Sequence, residues 1–305
     1  MQRKTGLCLL VFGLAILAGV AWRLPPELVW IGSLVTVAGA LVLGLSFIPR
    51  PIADTGTPPL NFPARIAGMF YAPSVVFRSL RVHPYWGAGF LVMALCIVIY
   101  NVAFIQRMTP ETIAEAKIDR VIKSGFVAPD QAEQVKEQEI QAAQSTLRKV
   151  SSLLFLGVYL LIYLSAVAAL YLLGVAMVGG RMTLWQSLSL TIYAYLPPVI
   201  IRYLLSLAIL YIKPIETIDP FSGQQGILYE NLGLLLSPVQ HPVLYTAATF
   251  VSILSLYKLW LAATGIRIVG EDISKGGAWA VALTVWAIGL GISLLGAVIN
   301  PNFVS

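Results

Sequence analysis

Residues Met182 to Ile212, MTLWQSLSLTIYAYLPPVIIRYLLSLAILYI, hold thirty-one positions and one formal charge, Arg202. As a helix rising ~1.5 Å per residue the stretch would reach ~46 Å, beyond a ~30 Å hydrocarbon layer, so it must tilt or kink, and the Pro197-Pro198 pair supplies the kink. A water-soluble protein rarely leaves such a helix without a charged face. The whole chain shares this character: 58% of it is hydrophobic and 11% charged, where a globular domain has ~25% charged residues. This is an integral membrane protein, and 305 residues leave no room beside the spans for a separate catalytic domain.

On a soluble chain a net charge of +6 would point to nucleic acid. Here the basic residues outside one insert fall mainly in short loops, a pattern that orients a membrane protein, so no nucleic-acid partner is expected. Cys8 and Cys96 each lie in an apolar run and indicate neither a disulfide framework nor a metal knuckle.

From the N-terminus, Met1 to Trp22 has the outline of a secretory signal: Arg3 and Lys4, then an apolar run. A short RLPPE turn joins it to a second run, Leu28 to Ile48, which favours a retained helical hairpin over residues 1–49. A Pro-rich linker, Arg50 to Pro59, follows. Ala64 to Leu80 places Ile66, Met69, Phe70, Pro73, Phe77 and Leu80 on one helical face. The segment reads as a helix lying in the membrane interface, with Arg65, Phe70, Phe77, Arg78 and Arg81 at the lipid surface. A loop helix packed on the spans needs the same single apolar face.

Further spans are expected at Tyr85 to Met108, Val150 to Val178, His241 to Ile268 and Gly277 to Asn300, making seven with the hairpin and the central helix. Between the first two of these lies a densely charged insert, residues 109–149, with six basic and seven acidic side chains. Thr109-Pro110-Glu111 reads as its helix start and Gly125 as the end of that helix. A second helix from Pro129-Asp130 runs toward the next span. Lys213 to Gln240 forms another extramembrane loop, whose GILYENLGLLL piece is apolar enough to touch the membrane surface.

With the N-terminus in the cytoplasm, nine basic residues lie inside (Arg3, Lys4, Arg50, Arg65, Arg78, Arg81, Arg181, Arg267, Lys275). Arg23 and Lys213 lie outside, leaving the insert and Arg107 at its edge uncounted. This bias sets an N-in, C-out topology and puts the insert outside the cytoplasm.

His83 and His241, the two histidines, precede prolines on opposite membrane faces and have no ligand-spaced partner, so neither a metal nor a cofactor is expected. No nucleophile, base and acid converge, and no phosphate-binding loop appears. Arg202 is the residue that could carry chemistry. It lies about ten positions, ~15 Å, from the outer end of its span, and all fourteen acids fall in loops or the insert. Backbone carbonyls freed by Pro197 and Pro198, tyrosines such as Tyr195 and Tyr203, water or an anionic ligand could meet its charge. Lys258, nearer the end of its own span, reads as a snorkelling side chain.

Three pieces carry a family resemblance: FYAPSVVFRSLRVHPYW, GGRMTLWQSLSLTIYAYLPPVI and LYKLWLAATGIRIVGEDISKGGAW. Over residues 64–300 the chain resembles the Yip family, multi-spanning proteins named for interaction with Rab-type (Ypt) GTPases, which have bacterial relatives. The resemblance implies a five-span bundle over residues 50–300 without enzymatic activity. In this chain a hairpin replaces the long N-terminal region of eukaryotic members, so a small-GTPase partner is not carried over. The expectation is an all-α polytopic membrane bundle acting as a membrane-organising or adaptor protein in a bacterial plasma membrane, with lipids and a membrane or peripheral protein as partners. The rival reading is a transporter or lipid-handling protein for an anionic molecule, using Arg202 beside a proline-broken helix.

Overall fold

The computed structural model describes residues 2–22, 36, 39, 43, 58–123, 134, 137, 146–237 and 240–299. In chain order its helices are α1 (Gln2–Trp22), α2 (Phe62–Tyr71), α3 (Pro73–Val82), α4 (Gly87–Met108), α5 (Pro110–Lys123), α6 (Thr146–Met177), α7 (Leu184–Ile212), α8 (Pro242–Thr249), α9 (Ile253–Val269) and α10 (Lys275–Ile299). The described residues form no sheet, only two isolated bridges. The chain is an all-α membrane bundle. Among the described residues, α4, Phe155–Met177 of α6, α7 and α10 are long and apolar enough to cross a membrane.

The central helix α7 starts at a reciprocal cap. The Thr183 hydroxyl accepts from the Gln186 backbone N–H at 3.2 Å, and the Gln186 side-chain oxygen accepts from the Thr183 N–H at 2.8 Å. From there α7 runs through Pro197 and Pro198 to Ile212 without leaving the helical state. Two missing N–H groups free the carbonyls four residues earlier, those of Tyr193 and Ala194. At its far end Arg107 of α4 donates to the carbonyls of Leu210 and, at 2.7 Å, Lys213, a cation placed where the helix dipole favours it.

Around α7 pack α4, α6 and α9, and α10 lies against α6 and α9. Two small polar side chains inside α7 are met by carbonyls: Ser187 Oγ donates to Ala168 of α6 at 2.6 Å and Thr191 Oγ1 to Ser187 at 2.8 Å. A second apolar cluster joins Tyr100 and Phe104 of α4, Ile113 of α5, Leu210 of α7, and Ile218 and Ile227 of the following loop. The first helix of the charged insert thus lies on the bundle through Ile113, Ala114 and Ile118, all buried.

Two expected helices are divided. Ala64 to Leu80 is α2 and α3, broken at Ala72, because Pro73 has no N–H to continue the ladder and its ring restricts the residue before it. His241 to Ile268 is α8 and α9, separated at Phe250–Ser252. Ser252 caps α9, its Oγ accepting from the Ser255 N–H at 3.0 Å, and the Leu232 N–H donates to the Val251 carbonyl at 3.1 Å. These bonds satisfy backbone groups that an unbroken helix would have paired internally.

Within the expected hairpin, Gly13 of α1 lies against Thr36 and Gly39 lies against Leu10, close enough that neither glycine could carry a methyl without displacement. The remainder of the second run, the RLPPE turn and most of the second half of the insert lie outside the described residues.

Candidate functional site

The three sequence pieces singled out above meet at the end of the bundle where α7 begins. Arg181 and Glu271 exchange backbone hydrogen bonds of 3.0 and 2.9 Å, joining the turn before α7 to the turn after α9. Gly179, with φ of 83°, makes the first turn possible, and Gly180 lies flat on Ile273. Gln186 Nε2 reaches across to donate to the Arg81 carbonyl at 2.6 Å, adding the end of α3 to the junction. On this frame sit two ion pairs, Arg81–Glu271 at 4.0 Å and Arg181–Asp272 at 3.8 Å. Trp86 stacks on Trp185, with centroids 6.4 Å apart and planes 5° apart. Arg78, Arg267 and Lys275, from the adjoining helices, are exposed. Surface pairs of this kind contribute ~0–1 kcal/mol each, so the backbone bonds hold the frame and the charges are displayed on it.

The side chains expected at the membrane interface part company. Phe70 and Arg78 are exposed. Phe77 is fully buried, and a methyl on Gly265 of α9 would stand 2.9 Å from its ring. Arg65 is 6% exposed; its guanidinium donates to the Leu60 carbonyl at 2.5 Å and lies 5.1 Å over the Tyr85 ring. Arg81 belongs to the junction. The lipid-surface placement of Phe77 and Arg65 is therefore corrected: the bend at Ala72 turns α3 onto the bundle, and Met69, Phe77 and Leu80 of the apolar face are buried in the chain.

A second polar centre lies along α7. Tyr195 and Arg202 are seven residues apart and share a helical face, with ~10.5 Å between them along the axis. Lys258 of α9 places Nζ 4.5 Å from the centroid of the Tyr195 ring, and the Tyr195 hydroxyl is 3.3 Å from that of Tyr163 on α6. Lys258 thus contacts the bundle where snorkelling was expected. Tyr203 points elsewhere: its ring is 5.3 Å from Tyr100 of α4. Of the three expected ligand-binding residues, Arg202 and Tyr195 share one face and Tyr203 packs on another helix.

Beyond Arg202 the loop folds back onto the bundle. The Tyr100 hydroxyl donates to the Gly223 carbonyl at 2.5 Å, and the Leu228 N–H donates to Ser206 Oγ at 3.1 Å. Gly226, with φ of 111°, brings its backbone beside the guanidinium, where a Cβ would stand 3.2 Å from Arg202 Nε. Ile227 is buried, while Leu234 and Leu235 stay exposed. Arg202 Nε is itself buried and has no hydrogen-bond partner. Neither Arg202 nor Lys258 has an ion pair or hydrogen bond to any described residue.

Sequence reasoning missed Lys258 as a neighbour of Tyr195, and the Glu271 and Gln186 contacts. The T-L-W-Q capping pattern was available for Gln186; nothing local marks the other two. His83 stacks on Tyr85 at 6.0 Å and His241 precedes α8.

A family model described as the Yip1 domain matches residues 67–296. No curated protein and no solved structure matches the chain.

Proposed function

The chain belongs to the Yip1 domain family, and from that membership we propose a non-enzymatic, multi-pass protein of a bacterial plasma membrane that acts as a membrane-organising or adaptor protein. The observation that carries this reading is the charged junction at the start of α7, where two turns are locked by backbone bonds and the Gln186 side chain ties in the end of α3, presenting Arg81, Arg181 and Asp272 on one frame. Fixed charges on a rigid frame suit recognition of a protein surface or lipid headgroups, because little side-chain and loop ordering remains to be lost on binding.

In this reading the basic-residue bias places the N-terminus and the junction in the cytoplasm and the C-terminus outside. The partner is a membrane or peripheral protein together with lipids. The Arg202 transport reading loses part of its motive, because α7 stays helical through the proline pair and the discontinuity lies between α8 and α9.

The experiment is quantitative cross-linking in native membranes, comparing the parent with an Arg181→Glu, Arg267→Glu double variant. Selective loss of proteins or lipids captured by the parent is expected. Identical captured sets from both, at equal membrane abundance, would remove the junction as the docking surface.

A further inference from the structure

We propose that Arg202 and Lys258 form a binding site for a phosphate group inside the bundle, a site independent of the charged junction. The two cations stand on packed helices α7 and α9. Because the Arg181–Glu271 bridge joins the start of α7 to the end of α9, the helices run antiparallel. That brings Lys258 level with Tyr195, and Arg202 stands two turns further along the same face of α7. Side chains lean toward the N-terminus of their own helix, so on antiparallel helices Arg202 leans toward the level of Tyr195 and Lys258 leans toward Arg202. Two like charges in a medium of low dielectric repel strongly, and no described carboxylate compensates either one.

The surrounding groups are suited to an oxyanion. Arg202 has a buried Nε–H without an acceptor, and its side chain is half-buried, as is that of Lys258, so both are reachable from the bundle surface. An arginine supplies a planar fork of donors and a lysine a compact charge, the combination that holds tetrahedral phosphate oxygens. The Tyr195 ring beneath Lys258 attracts the ammonium without neutralising it, and the Tyr163–Tyr195 hydroxyl pair adds a donor on that side. Gly226 keeps the loop backbone beside Arg202 without a side chain covering the guanidinium. The phosphate can be a phospholipid headgroup or a free ion; Leu204 and Leu205, next to Arg202 and exposed, would lie against acyl chains in the first case.

The test uses the purified full-length protein in phosphatidylcholine nanodiscs, titrated with phosphatidic acid and, separately, with inorganic phosphate. Native mass spectrometry reads binding and thermal unfolding reads stability. The parent should bind and be stabilised, and Arg202→Gln with Lys258→Gln should weaken binding by about tenfold or more, as loss of charge-assisted partners implies. Arg202→Lys with Lys258→Arg should retain binding, and Lys213→Gln, at the far end of α7, should match the parent. In phosphatidylcholine alone the double Gln variant should be at least as stable as the parent, since it removes two uncompensated charges; a purely structural pair would lose stability. Binding of phosphatidic acid that inorganic phosphate displaces supports the site and assigns the headgroup, and stabilisation by inorganic phosphate alone supports it and assigns the free ion. Equal binding by parent and double Gln variant, or no binding of either probe to the parent, overturns the proposal.

Discussion

Gly265 lies between two side chains from different helices, with the Phe77 ring 2.9 Å and Leu190 Cγ 3.0 Å from the place a Cβ would occupy. Gly265→Val must push α9 away from α3 and α7 or strain those side chains, and such overpacking costs ~1–3 kcal/mol. The mirror substitution, Phe77→Ala, opens a cavity at the same place and should cost ~3–5 kcal/mol. Phe70→Ala, seven positions earlier and 43% exposed, should stay within ~0.5 kcal/mol. Thermal melting of the three variants in one detergent checks the ordering. A Phe77→Ala protein that melts with Phe70→Ala would mean that α3 does not dock on α9.

At the scale of elements, the joint between α8 and α9 is built from short polar contacts in an apolar setting. Ser252 and Ser255 cap each other's backbone, and Ser255 Oγ also donates to the Phe250 carbonyl at 2.7 Å. Replacing both serines by alanine leaves the first N–H groups of α9 without acceptors, at ~1 kcal/mol for the lost cap. Hydrogen exchange of the amides of residues 250–256 should quicken about fivefold, a factor that follows from that cost, while α7 keeps its protection. Unchanged exchange would show that the joint is held by packing, for instance Phe250 against Trp286 at 6.1 Å. The S-I-L-S pattern of this cap stands in the sequence, yet an apolar run over residues 241–268 hides it: a hydropathy window averages over a pair of serines. Pro73, by contrast, is a visible breaker, and reading it as one more apolar face residue merged α2 with α3.

For the whole molecule, the basic-residue bias predicts an orientation. A thiol probe at Ser305 should be labelled only from outside the cytoplasm if the nine-to-two basic bias governs insertion; labelling from the cytoplasmic side alone reverses the topology. The sequence by itself determined the membrane class, the all-α character and the helix that starts at Thr109-Pro110, because hydropathy and capping act over a few neighbouring residues. It also marked Arg202 as a charge without a nearby acid. Only the tertiary structure decided that Lys258 lies on Tyr195, that Tyr203 turns to Tyr100, that Arg181 pairs with Glu271, and that Phe77 faces protein while Phe70 does not. The reason is physical: in a bilayer an apolar side chain is equally at home against lipid or against another helix. Hydropathy therefore places a residue in the membrane without saying which way it faces, and the direction is chosen by partners brought close from distant parts of the chain.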